Sequence, residues 1–224
     1  MPFGWPHAPA LGRLLLAVAG LAAMGLITVQ LWPEARANAL AMQPLAQVRA
    51  WQAPRAQPPD PEAWLRTRAA LDRALAITPQ AADLHEAMAY LYLSVALRPD
   101  PDPLVQGPYL KQALAHLQQA TAARPMVPSA WANQALAFHQ LALLEVAEAE
   151  PHRSAMWRAF DRALAHGQRE RGVQQALGVV AFAHWANLSP VRRQAVTTMH
   201  AQATPSQQRA LLALASAHEV DLGS

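Results

Sequence analysis

A short helical phrase occurs twice in this chain: ALDRALAITP at residues 70–79 returns as AFDRALAHG at 159–167. Such a recurrence constrains the fold more than any single motif. It calls for stacked units that repeat one contact surface, because each unit alone leaves an apolar face uncovered. Between the two copies, LKQALAHLQQATAARP at 110–125 keeps the same spacing. Ala74 lies five residues before Pro79 and Ala120 five before Pro125, with Leu117 and Ala113 three and seven residues ahead of Ala120. In the last copy Ala163 and Phe160 take the matching positions, and Gly167, four residues after Ala163, ends the helix instead of a proline. Small residues there let two helices approach closely while the large neighbour fills the groove. Gly167 is expected to end its helix as a left-handed C-cap.

The composition agrees with helices throughout. The chain is 53% hydrophobic, and the excess is mostly Ala and Leu, both strong helix formers. Val and Ile form no alternating run, so nothing reads as a strand and the fold class is all-α. Proline and glycine then punctuate the chain. Asp60-Pro61-Glu62 supplies an N-cap, a proline at the first helical position and a first-turn acid. Helices are expected over 61–77, 80–97, 108–123, 128–148, 151–167 and 169–187, with RPDPDP at 98–103 as a loop. Ser189-Pro190 opens a seventh and Thr204-Pro205 an eighth. About eight helices with short connections favour antiparallel neighbours.

Ahead of this domain, expected over 61–224, the chain divides into three. Residues 1–13 read as a short leader, 14–33 as a transmembrane anchor, and 34–60 as a juxtamembrane segment with the Pro-rich linker QAPRAQPPDP. No charge falls between Arg13 and Glu34, and about 20 apolar residues suffice to cross a bilayer as a helix. Trp32 suits the interface, and Pro33 is expected to end the span. Arg13 in an acid-free leader argues for a cytoplasmic start and a translocated remainder, although Arg36 and Arg49 follow the segment. A second reading remains open, since Ala35-Arg36-Ala37 also fits cleavage of a signal peptide after Ala37.

The chemistry-bearing residues are sparse. Cysteine is absent, which removes disulfides, thiolate metal sites, cysteine nucleophiles and a lipoprotein anchor. Eighteen basic residues give a net charge of +3, and only Lys111 is a lysine. They form no dense run, so nucleic acid is not an expected partner. The nine histidines are scattered, and none sits in H-E-x-x-H. They read as surface or half-buried packing residues. Glu145, Glu148 and Glu150 read as a solvated helix end. Nucleophile elbows, glycine-rich phosphate loops and paired carboxylates are missing from the sequence. No catalytic, cofactor or metal residue is therefore assigned, and the chain reads as a non-enzyme with no cofactor.

One charged region stands out. Residues 153–209 carry eight arginines against Asp161 and Glu170, a net of +6. Arg153, Arg158, Arg169, Arg171, Arg192 and Arg193 are the candidates for contact with an acidic partner, an anionic glycan or lipid headgroups. The alternative is a solvated face whose arginine stems cover apolar surface.

Two resemblances narrow the reading. Trp131 follows Pro125 by six residues, with Ala135 four further on and Phe138 three beyond. This resembles the tetratricopeptide repeat, whose period is about 34 residues. Here Ala74 to Ala120 is 46 and Ala120 to Ala163 is 43, stretched by loops such as RPDPDPLVQGP. The resemblance implies a right-handed helical-repeat domain whose concave face grips peptides or helices. The order RPMVPSAWANQALA, AFDRALAHG and GVVAFAHWANLSPVRRQAV then resembles the VpsP family of small anchored proteins associated with exopolysaccharide biosynthesis. The matching positions are Pro125, Trp131, Gly167, Trp185, Leu188 and Arg192, within residues 60–203. The chain departs from that pattern at Gln168-Arg169, where the family tends to carry a proline.

The family likeness implies a non-catalytic scaffold in a bacterial inner membrane, with its domain in the periplasm and envelope proteins, such as polysaccharide polymerase or export components, as partners. The same fold would serve an assembly factor for another envelope complex, for example in cytochrome maturation or outer-membrane assembly. A third reading is a glycan-binding protein with Trp131 or Trp185 as the stacking platform.

Overall fold

A computed structural model describes residues 8–53 and 56–222. Among them the chain forms nine α-helices and no strand: α1 (Ala8–Trp51), α2 (Pro61–Leu75), α3 (Ala82–Ala96), α4 (Pro103–Ala123), α5 (Pro128–Leu144), α6 (Ala149–Gly167), α7 (Arg171–Ala183), α8 (Pro190–Ala201) and α9 (Pro205–Ala217). Short 3-10 turns at 146–148 and 185–187 complete the order. Successive helices pack antiparallel. The closest pairs are α3 with α4 and α5 with α6, while α1 lies on α3, α5 on α7, and α7 on α9.

The starts follow the cap-and-proline logic. The Asp60 carboxylate accepts from the Ala63 N–H at 2.8 Å, and Ser189 Oγ accepts from the Arg192 N–H at 3.3 Å. Thr204 and Gln207 form a capping box. Asp102-Pro103 carries the same signal, and there the structure departs from expectation. The helix expected from 108 begins at Pro103 and carries Pro108 inside it. Asp102 accepts from the Leu104 N–H at 2.9 Å. The carbonyl that Pro108 leaves unpaired is that of Leu104, which is exposed, so water can satisfy it.

A second departure is larger. Pro33 is expected to end the span, yet α1 runs through it and through Pro44 to Trp51. Its last part is a packing helix: Ala41 and Val48 are buried against α2 and α3, with Leu45 and Trp51 beside them, and Ala37 is buried as well. The Tyr90 hydroxyl donates to the Trp51 carbonyl at 2.9 Å. Burial of this face outweighs the local proline penalty. The Pro-rich stretch therefore joins α1 to α2. Among the described residues no helix is long and apolar enough to cross a membrane. Most side chains of the expected anchor at 14–33 lie outside the described residues, as do residues 1–7 of the leader.

The repeated phrase has a physical meaning in the packing. Ala74, Ala120 and Ala163 are all buried, and so are the large residues Leu71, Leu117 and Phe160 three positions earlier. The position after the small residue is buried too, as Leu75, Thr121 and Leu164, and so is the one seven before it, as Thr67, Ala113 and Met156. Helices α2, α4 and α6 thus present one shared stripe. Helices α3 and α5 repeat likewise at a separation of 46, with Leu84 matching Ala130, Met88 matching Gln134, Ala89 matching Ala135 and Ala96 matching Ala142, all buried. A ring triangle of Trp64, Tyr92 and Tyr109, with centroids 5.5–5.9 Å apart, ties α2, α3 and α4 together.

Gly167 has a different reason from the one expected. It is the last residue of α6, followed by a right-handed cap at Gln168, and it needs no left-handed backbone. A Cβ at Gly167 would lie 2.6 Å from Pro128 Cβ and 2.8 Å from its Cγ, so the glycine is a contact point between α6 and the start of α5. Gly167→Ala should cost about 1–3 kcal/mol in urea unfolding, because the proline ring has no room to retreat. Gly172→Ala in α7, where an added Cβ meets nothing within 4 Å, should instead raise stability by about 0.4–1 kcal/mol.

Candidate functional site

Helices α5, α7 and α9 lie side by side, and a groove of about 390 Å³ runs along their shared face. Leu136, Ala176, Val179 and Leu214 line it, with the amides of Asn133 and Gln175 as polar elements. The groove exists because α9 sits close on α7. A Cβ at Gly178 would stand 2.9 Å from Leu211 Cδ2. A surface that is apolar, with amide donors and acceptors beside it, suits the non-polar side of a peptide or helix.

The structure scatters the six candidate arginines rather than gathering them. Arg192 Nε and NH2 donate to Asp161 Oδ1 and Oδ2 at 2.8 and 2.7 Å, and its guanidinium lies 4.6 Å from the Trp157 ring centroid. This bidentate pair fastens α8 to α6. Arg193 NH2 donates to the Trp185 carbonyl at 3.1 Å, with the guanidinium over the Trp185 ring. Arg153 pairs with Glu150, and Arg158 NH1 donates to Ser154 Oγ at 2.7 Å. Arg158 also borders a cleft of about 480 Å³ with Trp131, Asp161 and Arg162. Arg169 and Arg171 are exposed at the α6–α7 turn, with no ion-pair partner among the described residues. The arginine stretch is thus several local devices, and Arg192 and Arg193 are engaged within the chain.

The positions carried by the family likeness are packing positions. The Pro125 carbonyl accepts from Trp131 Nε1 at 2.8 Å, Gly167 abuts Pro128, Trp185 packs on Phe182 with centroids 5.9 Å apart, and Leu188 is buried.

Sequence reasoning missed two histidine pairs, because their members are distant in sequence. His85 on α3 and His116 on α4 face each other with Nδ1···Nδ1 at 2.9 Å. His85 Nε2 lies 2.9 Å from the Pro79 carbonyl, which can only accept. His85 therefore carries its proton on Nε2, and His116 donates from Nδ1. His139 Nδ1 on α5 lies 3.1 Å from Nε2 of His184, at the end of α7. Burial, followed by the neighbouring imidazole, holds His116 and His139 down to about 4. Burial also lowers His184, with Arg153 adding to it. Neutral at pH 7, His116, His139 and His184 serve as polar bridges between helices.

Glu145 likewise finds partners that its position in the sequence did not reveal. Lys111 Nζ of α4 lies 2.6 Å from Oε1, and His152 Nε2 of α6 lies 3.0 Å from Oε2. Lys111, then His152, holds the Glu145 carboxyl below its usual range. Glu145, Glu148 and His152 bring their ligand atoms within 4.8 Å of one another, among the described residues. Lys111 already supplies the positive charge at that point.

No protein-family model, curated protein or solved structure matches this chain.

Two outcomes follow from the charges. Arg192→Glu should lower unfolding free energy by about 1–3 kcal/mol, since it leaves Asp161 facing a like charge. Arg171→Glu should stay within about 0.5 kcal/mol. Urea titration of both variants separates a structural arginine from a displayed one. For the histidines, the unfolded imidazole titrates near 6.5 and the folded one near 4, so the unfolded chain binds more protons between these values. Stability is then intact above about pH 6.5 and falls as the pH drops toward 4. The melting temperature should fall by roughly 3–6 °C from pH 7 to pH 4.5, and the loss should shrink in His116→Gln.

Proposed function

We propose that the chain is a non-catalytic, membrane-anchored adaptor whose helical-repeat domain, tetratricopeptide-like in its Trp, small and aromatic helix positions, holds a segment of a partner protein in the α5–α7–α9 groove. The carrying observation is that groove, an apolar strip beside two amides on the face where alternate helices align. The repetition of one buried stripe on α2, α4 and α6 supports the repeat reading. The uncharged run at 14–33 supports an inner-membrane anchor with the domain on the periplasmic side. Likeness to the VpsP family directs attention first to polysaccharide polymerase and export components.

The tryptophans weigh against a saccharide platform. Trp185 packs on Phe182 with Arg193 over its ring, and Trp131, half-buried with its N–H spent on the Pro125 carbonyl, turns only part of its ring to the cleft beside Arg158. A sugar-stacking ring needs an open face.

Tagged full-length protein purified from detergent-solubilised membranes should bring down polysaccharide polymerases, chain-length regulators or exporters. Val179→Glu should reduce that recovery by at least tenfold while leaving far-ultraviolet circular dichroism unchanged. Recovery of haem-maturation or outer-membrane assembly proteins would overturn the polysaccharide assignment. Recovery undiminished by Val179→Glu would remove the groove as the docking face.

A further inference from the structure

We infer that the α2–α3 turn (residues 76–81), with Arg36 and Arg73 beside it, rests on the phosphate layer of the bilayer and holds the domain in one fixed orientation. This rests on the reading of 14–33 as a membrane anchor. The argument begins with α1, a single helix over Ala8–Trp51. Its residues Ala37, Ala41 and Val48 are buried in the domain core, so no flexible linker separates the end of the apolar run from the first buried residue. At 1.5 Å per residue, Asn38 lies only about 7–8 Å beyond Pro33 along the helix. Asn38 and Ala41 share a cleft of about 430 Å³ with Thr78, Pro79, Gln80 and Ala81. The turn therefore stands at headgroup depth whenever 14–33 occupies the hydrocarbon.

The chemistry of that end fits the placement. Residues 76–81 read Ala-Ile-Thr-Pro-Gln-Ala and carry no charge. Their polar groups are largely paired within the turn: Ile77 and Thr78 N–H donate to the Ala74 carbonyl, and Ala81 N–H to the Thr78 carbonyl. Such a turn can lose water at low cost. Arg36 on α1 and Arg73 at the end of α2 are exposed and have no ion-pair partner among the described residues. Two guanidinium groups at this end of the domain, Arg36 two residues before Asn38 on α1 and Arg73 three before the turn on α2, match lipid phosphates. Two exposed acids lie near this end: Asp72 beside Arg73, where it pairs with Arg68, and Asp83 in the first turn of α3. Trp32, Val18 and Leu21 are 65%, 56% and 67% exposed on the free part of α1, as expected of side chains that meet an interface and lipid. Leu104, 85% exposed at the start of α4, marks the opposite end of the domain.

The absence of cysteine makes the test direct. Full-length Gln80→Cys and Leu104→Cys variants would each carry an environment-sensitive fluorophore in vesicles of phosphatidylcholine and phosphatidylglycerol containing a headgroup-linked quencher. Quenching at residue 80 several-fold above that at residue 104 is the expected result. Adding Arg36→Glu and Arg73→Glu should reduce the signal at residue 80 about twofold. Equal quenching at both sites, in protein that still floats with the vesicles, overturns the fixed orientation and leaves the anchor standing. Protein that does not float overturns the anchor reading and this inference with it.

Discussion

The close approach of helices at Ala74, Ala120 and Ala163 is the contact on which the rest of the molecule depends. An alanine at the crossing brings two backbones together, and Leu71, Leu117 or Phe160 one turn earlier fills the space beside it. Burying each of those large side chains contributes about 1.5–3 kcal/mol, provided the crossing stays tight. Gly167 applies the same device at its limit, where even a methyl group would collide with Pro128. The stripe recurs on α2, α4 and α6, so these three helices bury the same set of positions. The α5–α7–α9 groove is then the face left open by that stacking.

Dispersed polar contacts give this alanine- and leucine-rich core its register. Gln134 Nε2 reaches the Leu117 carbonyl at 3.1 Å and Thr121 Oγ1 at 2.9 Å, joining α5 to α4. Trp64 Nε1 donates to the Leu91 carbonyl at 2.9 Å, joining α2 to α3. The histidine pairs do the same between α3 and α4 and between α5 and α7. Ala–Leu surfaces tolerate sliding, whereas a buried donor is satisfied in one alignment only. Arg192 extends the principle to the surface, where its fork on Asp161 and its stacking on Trp157 place α8.

Rigid attachment of α1 changes how the proposed adaptor would work. A domain on a Pro-rich tether samples many heights and orientations above a membrane. A domain built around the end of its own anchor samples few. The groove would then be offered at one distance and angle, which favours partners that are themselves fixed in the same bilayer. Association confined in this way gains effective concentration without new contacts.

The fold class and the repeat were legible in the sequence because both are local or periodic. Asp60-Pro61, Ser189-Pro190 and Thr204-Pro205 set helix starts through their own backbone chemistry, and the spacing of Ala74, Ala120 and Ala163 marked the buried stripe. Asp102-Pro103 carries the same start signal but competes in the sequence with Pro108, which the helix accommodates near its exposed first turns. The passage of α1 through Pro44 could not be read locally, since burial of Ala41 and Val48 against distant helices outweighs the proline. The site was less legible than the fold. Arg192 reads in sequence as one charge in a basic run, and only folding places Asp161, 31 residues away, beneath its fork. His85 and His116, also 31 apart, and His139 and His184, 45 apart, look like scattered surface residues until helix packing brings their rings together. Periodicity and caps act over a few residues, so the sequence by itself determined the helices and their repeat. The partners of charges and imidazoles depend on which helix faces which, and that was decided by tertiary packing alone.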